Sequence, residues 1–132
     1  MSNIDPISDL LIRIQNAARV RKEAVEIPFS SLKNEVVKVL RNEGFLGKTD
    51  PVIRKGRKWI RIGLKYTAEK VSVIQQLKRI SRPGRRVYAH SMDLRNLARN
   101  SELVILSTNK GVMSHPRAIK EKRGGEVLLS VS

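Results

Sequence analysis

Apolar and polar positions change period several times along this chain. Ile7, Leu10, Leu11, Ile14 and Ala18 form a stripe at helical spacing. Ile4-Asp5-Pro6 supplies its start, with Asp5 as N-cap and Pro6 at the first helical position. Arg19, Arg21 and Lys22 stand at its end, where cations suit the helix dipole. Ala24-Val25-Glu26-Ile27 then alternates as a strand that Pro28 closes. Ser30 or Ser31 can cap a second helix, in which Leu32, Val36, Val39 and Leu40 face the core and Lys33, Lys38 and Arg41 face water. Gly44 ends it. A turn at Thr49-Asp50-Pro51, a strand through Val52-Ile53-Arg54 and a hairpin turn at Lys55-Gly56 follow. On the returning strand Ile60, Ile62, Leu64 and Tyr66 share one face, with Trp59, Arg61 and Lys65 on the other.

The second half is strand-rich. Val71, Ile74, Leu77 and Ile80 fit a helical stripe, yet the approach to Arg82-Pro83-Gly84-Arg85 looks like one arm of a hairpin, and periodicity does not decide between them. Arg86-Val87-Tyr88-Ala89 reads as the returning arm, Asp93 to Ala98 as a short helix and Leu103 to Leu106 as a strand. Ser114 caps a short helix through Lys122, and Glu126 to Val131 is the last strand. The pattern predicts an α+β fold of two small domains: α-β-α-β-β over residues 1–66, then a strand-rich unit with short helices over 67–132, divided near Thr67 to Lys70.

Between the last two apolar strands runs a polar, glycine-marked segment from Ser107-Thr108-Asn109-Lys110-Gly111 to Gly124-Gly125-Glu126. It reads as a loop held rigidly by its neighbours, a suitable place for recognition. Small hydroxyl and amide groups both donate and accept, and glycines let a ligand approach the backbone.

Charge then narrows the partner. The 132 residues carry Lys+Arg 27 against Asp+Glu 12, a formal net charge of +15. Each half holds roughly twice as many basic as acidic side chains, so the partner is expected to be a polyanion touching a folded surface. Nucleic acid leads, because phosphate neutralisation supplies affinity irrespective of sequence; an anionic membrane comes second. With 40% hydrophobic residues the chain is expected to fold, and with no cysteine it holds neither disulfides nor thiolate metal sites. No N-terminal hydrophobic block suggests a signal peptide, Asp5 and Asp9 argue against a transit peptide, and no apolar run approaches the ~20 residues that span a bilayer. A cytoplasmic location follows as the expectation.

Catalytic readings fare poorly. Gly47-Lys48-Thr49 is like the end of a P-loop, but Asn42 stands where the first glycine belongs. His90 and His115 lack ligand partners at metal spacing, and no Gly-x-Ser-x-Gly marks a nucleophile elbow. A basic DNA-binding architectural protein remains the competing class on composition alone.

Several motifs together resemble a known family. Ser107-Thr108-Asn109-Lys110-Gly111-Val112-Met113, Gly124-Gly125-Glu126, Ser81-Arg82-Pro83-Gly84-Arg85-Arg86-Val87-Tyr88, Asp5-Pro6-Ile7 and Glu43-Gly44-Phe45 occur in the order and spacing of bacterial ribosomal protein S8. The resemblance spans the chain. It implies a non-enzymatic protein of two α+β domains, needing no cofactor or metal and working in the cytoplasm within the ribosome. It also implies binding to the central domain of small-subunit ribosomal RNA early in assembly, beside other small-subunit proteins. Repression of its own messenger RNA, a monomeric free state and a strand over Val71 to Ile80 follow from the same likeness. The RNA-binding residues it points to are Ser107, Thr108, Asn109, Lys110, Gly124, Gly125, Glu126 and Tyr88, to which the basic turn adds Arg86 as a candidate. The chain departs from the family pattern at Asn109, commonly serine, at Ser114-His115-Pro116, where an acidic residue commonly follows a threonine, and at Ser132, commonly aromatic.

Taken singly, these residues have plainer readings. A Ser-Thr-Asn run favours ordinary turns, Tyr88 suits a core, and Glu126 could pair with Arg123 or Arg117. Trp59 divides evenly between packing under arginine stems and stacking on a base. Arg79, Arg82, Arg85 and Arg86 divide between a solvated hairpin and a phosphate clamp.

Overall fold

A computed structural model describes residues 5–98 and 102–132; Ile4, expected at the helix start, lies outside them. The first helix, α1 (Pro6–Arg19), is capped by Asp5, whose Oδ1 accepts the Ser8 N–H at 3.3 Å and Oδ2 the Ser8 hydroxyl at 2.6 Å. It buries Ile7, Leu10, Leu11, Ile14 and Ala17, so Ala17 rather than Ala18 completes the stripe. After β1 (Ala24–Pro28), α2 (Ser31–Asn42) starts at Ser30, whose Oγ accepts the Lys33 N–H at 3.2 Å.

The buried face of α2 is Lys33, Val36, Val37 and Leu40, with Leu32 exposed and Val39 half-buried, a rotation from the expected face. Lys33 is only 7% exposed. A lysine can take an inner position because its methylene stem is apolar. Burial pushes its pKa down, against the opposing pull of Asp9.

Strands β2 (Thr49–Arg54) and β3 (Arg57–Gly63) form the hairpin expected at Lys55-Gly56, with φ of +52° and +76° as a two-residue primed turn requires. Thr49-Asp50-Pro51 belongs to β2 and is not a turn. The order β1-β3-β2 leaves β2 at the edge, where a proline lacking its N–H is tolerated. The predicted α-β-α-β-β succession stands.

The expected long strand over Val71 to Ile80 does not form; only β4 (Leu77–Arg79) is regular. Local polar groups claim the preceding backbone. Thr67 Oγ1 accepts the Val71 N–H at 3.2 Å, Ser72 Oγ accepts the Ile74 N–H at 3.2 Å, and Lys70 turns through φ +64°. Strand β5 is the pair Tyr88–Ala89, followed by a 3-10 turn (Ser91–Asp93) and α3 (Leu94–Leu97). Strand β6 runs Leu103–Thr108, β7 Gly111–Ser114, α4 His115–Lys120 and β8 Gly125–Val131. The pattern did not show β7, and it carried α4 two residues too far.

Both β4 and β5 pair antiparallel with β8 along one edge, and β6 pairs along the other, with β7 beyond it. Strands β4 and β5 do not pair with each other, but the expected tight turn forms between them: Arg82 and Arg85 make an antiparallel bridge, with N–H to carbonyl bonds at 3.0 and 2.9 Å around Pro83-Gly84. Ser81, fully buried, closes the base of this turn: its Oγ accepts the Val87 N–H at 2.8 Å and donates to the Val87 carbonyl at 3.2 Å. One apolar cluster joins Ile7, Ile14, Val36, Leu40, Ile27 and Ile60 to Leu77, Ile105, Leu129 and Val131, so the helices α1 and α2 share a core with both sheets. Leu94, Leu106, Met113 and Ala118 form a second cluster with α3 and α4.

Arg79, with 9% of its side chain exposed, ties α1 to the second sheet. Its guanidinium donates to both Asp5 oxygens at 3.1 and 3.2 Å and to the Leu128 carbonyl at 2.7 Å. Burial alone would raise the Asp5 pKa, but the hydrogen bonds from Arg79 and Ser8 outweigh it and hold the carboxyl below its ordinary 3.8. A depressed folded-state pKa contributes stability present above 3.8 and lost as pH falls through the lower folded value. Replacing Asp5 by alanine is expected to cost about 2 kcal/mol in urea unfolding at neutral pH, with less difference from the parent in acid. An equal loss at pH 7 and below the Asp5 titration would contradict this account.

Candidate nucleic-acid interface

The residues singled out in sequence gather where β5 and β6 flank the start of β8. Tyr88 of β5 and Ser107 of β6 are both direct partners of Glu126, one on each side. Cross-strand partners point to the same face, so the three form one row. One residue back, Ala89 pairs with Gly125. A Cβ at Gly125 would run into the Ser107 carbonyl, and one at Gly124 into the Ala89 carbonyl oxygen. Both glycines are therefore required by the approach of neighbouring strands, whatever else comes near them.

A bulge sets this row apart from the core beneath it. Ile105 pairs with Leu129 but Leu106 with Val127, leaving Leu128 extra on β8. The carbonyl of Leu128 takes the Ile80 N–H at 2.9 Å and the Arg79 guanidinium at 2.7 Å. A bulge of this kind re-aims the side chains beyond it. Here Leu106 faces the α4 cluster, while Ser107 and Glu126 line a small cleft of about 210 Å³ beside Asp5, Pro83 and Arg86.

Ser107 and Thr108 are the end of β6, not loop residues. Only Asn109 and Lys110 form the turn, closed by Gly111 at φ +107°. The Thr108 hydroxyl is used within it, donating to the Gly111 carbonyl at 2.8 Å and accepting the Lys110 N–H at 3.1 Å. Asn109 Oδ1 accepts from Arg123 at 3.0 Å, and Arg123 is steadied by Glu121 at 3.0 Å. Arg117 and Arg123 together hold the Glu121 carboxyl below its ordinary pKa. With its oxygen engaged by Arg123, the Asn109 side chain remains exposed.

Glu126 pairs with Arg86 at 3.0 Å, while Arg117 and Arg123 both go to Glu121. Neither arginine suggested by sequence proximity is its partner. Tyr88 is 70% exposed, which removes the core reading for it. The hydroxyls of Tyr88 and Ser107 and the Lys110 ammonium make no hydrogen bond or ion pair to a described residue. The predicted set thus divides: Tyr88, Ser107 and Lys110 offer free groups, and Thr108, Glu126 and the two glycines shape the surface that carries them.

Two contributors were missed. Arg123 orients Asn109 from fourteen positions away, and Glu35 on α2 accepts the Val112 N–H at 3.2 Å, fixing the β6–β7 hairpin from the other half of the chain. No local pattern reports such contacts. His115 sits apart from the row; its Nδ1 accepts the Val104 N–H at 3.0 Å and burial pushes its pKa down, so it anchors the start of α4.

Comparison with known proteins supplies the class, a ribosomal protein. A family model described as Ribosomal protein S8 matches residues 5–132. Three relatives are each called small ribosomal subunit protein uS8. That of Koribacter versatilis is 42% identical over 127 residues, 96% of this chain and of the relative. That of Leptospira biflexa is 43% identical over 131 residues, 99% of each. The Caldicellulosiruptor bescii protein is 46% identical over 129 residues, 97% of each. The chain belongs to the ribosomal protein S8 family, whose members are structural and non-enzymatic components of the ribosome.

Since a Gly125 Cβ has no space beside the Ser107 carbonyl, Gly125→Ala is expected to lose roughly 2–3 kcal/mol of stability. A melting temperature unchanged from the parent would contradict the close approach.

Proposed function

We propose that this protein is a structural constituent of the small ribosomal subunit that binds the central domain of the small-subunit ribosomal RNA early in assembly. The observation that carries the reading is the row Tyr88–Glu126–Ser107 beside the Asn109-Lys110 tip, which brings unengaged hydroxyls, amide donors and an ammonium to one edge. An RNA helix presents a wide, shallow minor groove lined by 2′-hydroxyls, which short polar groups on rigid strands can follow. Ser107 exchanges hydrogen bonds with sugar or base edges, the Asn109 amide donates, and Lys110 meets a phosphate. Tyr88 offers a ring on which an unpaired base stacks. Glu126 meanwhile holds Arg86 at the cleft, so its carboxylate faces a cation and not a phosphate.

The same surface would take a messenger RNA that imitates the ribosomal site, giving repression of its own synthesis. The chain acts in the cytoplasm, monomeric when free and beside other small-subunit proteins in the particle. Neither membrane nor cofactor enters this role.

Tyr88→Ala and Ser107→Ala are expected to weaken cognate central-domain RNA at least tenfold while changing random RNA little, as read by filter binding at fixed salt. Equal losses on both would sink the assignment. Lys110→Ala should lower affinity and reduce the salt slope by about one, since one phosphate contact releases about one counterion. Displacement of the RNA by duplex DNA at equal concentration would favour the architectural DNA-binding alternative.

A further inference from the structure

The outer face of the first sheet has no part in the surface above, and its chemistry is specific. Helices α1 and α2 cover the face bearing Ile27, Ile60 and Ile62. On the other side the register stacks three rows: Glu26–Arg61–Asp50, Pro28–Trp59–Val52 and Arg57–Arg54. Trp59 is thus the central aromatic, half-buried, with the basic Arg57–Arg54 row on one side and, on the other, Arg61 between Glu26 and Asp50. Glu26, Arg54, Lys55, Arg57 and Trp59 line an open depression of about 610 Å³ there.

Glu26 does not make the face acidic. It accepts from Arg54 at 3.1 and 2.7 Å and has Arg61 at 3.6 Å, so it serves as a fixed anchor for two guanidinium groups. Asp50 is engaged by Lys48 at 3.9 Å. Lys55 and Arg57 have no carboxylate partner among the described residues. Among the described residues the cation over a ring is Lys58 on Phe29, at 4.1 Å, and none lies over the Trp59 ring, which is half-buried beside Arg54 and Arg57.

We propose that this face is a second RNA contact, at which an unpaired base stacks on Trp59 while its neighbouring phosphates lie against Arg54, Lys55 and Arg57. The inference rests on the RNA-binding reading and adds a site to it. An indole face accepts any base, and flanking cations hold the backbone, the pairing of features by which single strands are bound. An acidic peptide would satisfy the cations but leave the ring unused.

Trp59 is the only tryptophan in the chain, so its fluorescence reports this face directly. The full chain is titrated with a six-nucleotide oligouridylate, with an abasic oligonucleotide of the same length, and with a polyglutamate of the same charge. Saturable quenching by oligouridylate, at least threefold tighter than by the other two, is expected. It should persist in Tyr88→Ala, which separates this site from the first one; loss of cognate-RNA discrimination in that variant bears only on the earlier reading. Labelled oligouridylate should bind Trp59→Leu several-fold more weakly, with folding checked by melting temperature. If that variant fails to fold, exposed Arg57→Ala serves in its place and should lower the salt slope by about one. Absent quenching, quenching equal to that by the abasic strand or polyglutamate, or unchanged affinity in the variant would overturn the proposal.

Discussion

Strand β8 is the constraint on which the rest of the second half depends. It receives β4 and β5 on one edge and β6 on the other, and its last five residues are buried. A strand enclosed in this way is mostly apolar where it is covered, as Val127, Leu128, Leu129 and Val131 are with Ser130 the buried exception, and small where its neighbours converge, as Gly125 is. The bulge at Leu128 reconciles the two demands. Below it the side chains serve the core shared with α1 and α2, and above it Glu126 turns to the cleft. The polar edge is therefore continuous with the core, and its rigidity comes from apolar packing.

Within that edge, polar groups fall into two kinds. Some are consumed internally: the Thr108 hydroxyl closes a turn, Glu126 fixes Arg86, and Glu121 aligns the arginine that orients Asn109. Others, Tyr88, Ser107 and Lys110 among them, have no hydrogen-bond or ion-pair partner among the described residues. The first kind reduces the motional freedom of the second, so that less entropy is lost when a ligand orders them. Net charge adds long-range attraction but no geometry. The Trp59 face follows the same division, with Glu26 consumed in holding arginines beside an uncovered ring.

Much of the fold was legible because local rules carried it. The Asp5 cap, the α1 stripe and the Lys55-Gly56 turn each depend on residues within a few positions. Errors arose where distant atoms decide. Lys33 faces inward because of what packs on α2, and Val71 to Gln76 stays irregular because hydroxyls compete for its backbone. Strand β7 escaped notice since a two-residue turn at Asn109-Lys110 divides what reads as one polar run. For the site, residue identities were visible through their motifs, while the partners of Glu126 and Asn109 were not: sequence proximity favoured Arg117 and Arg123 for Glu126, and geometry assigns it Arg86.

The buried hydroxyl of Ser81 has one more consequence. By bonding both the N–H and the carbonyl of Val87, while the Ser81 N–H donates to the Val127 carbonyl and the Val127 N–H to the Val87 carbonyl, it closes the base of the Arg82-to-Arg86 segment against β8. Residues added beyond that closed base would lengthen the tip without sliding Tyr88 along Glu126. The basic tip is thus held apart from the register of the row behind it.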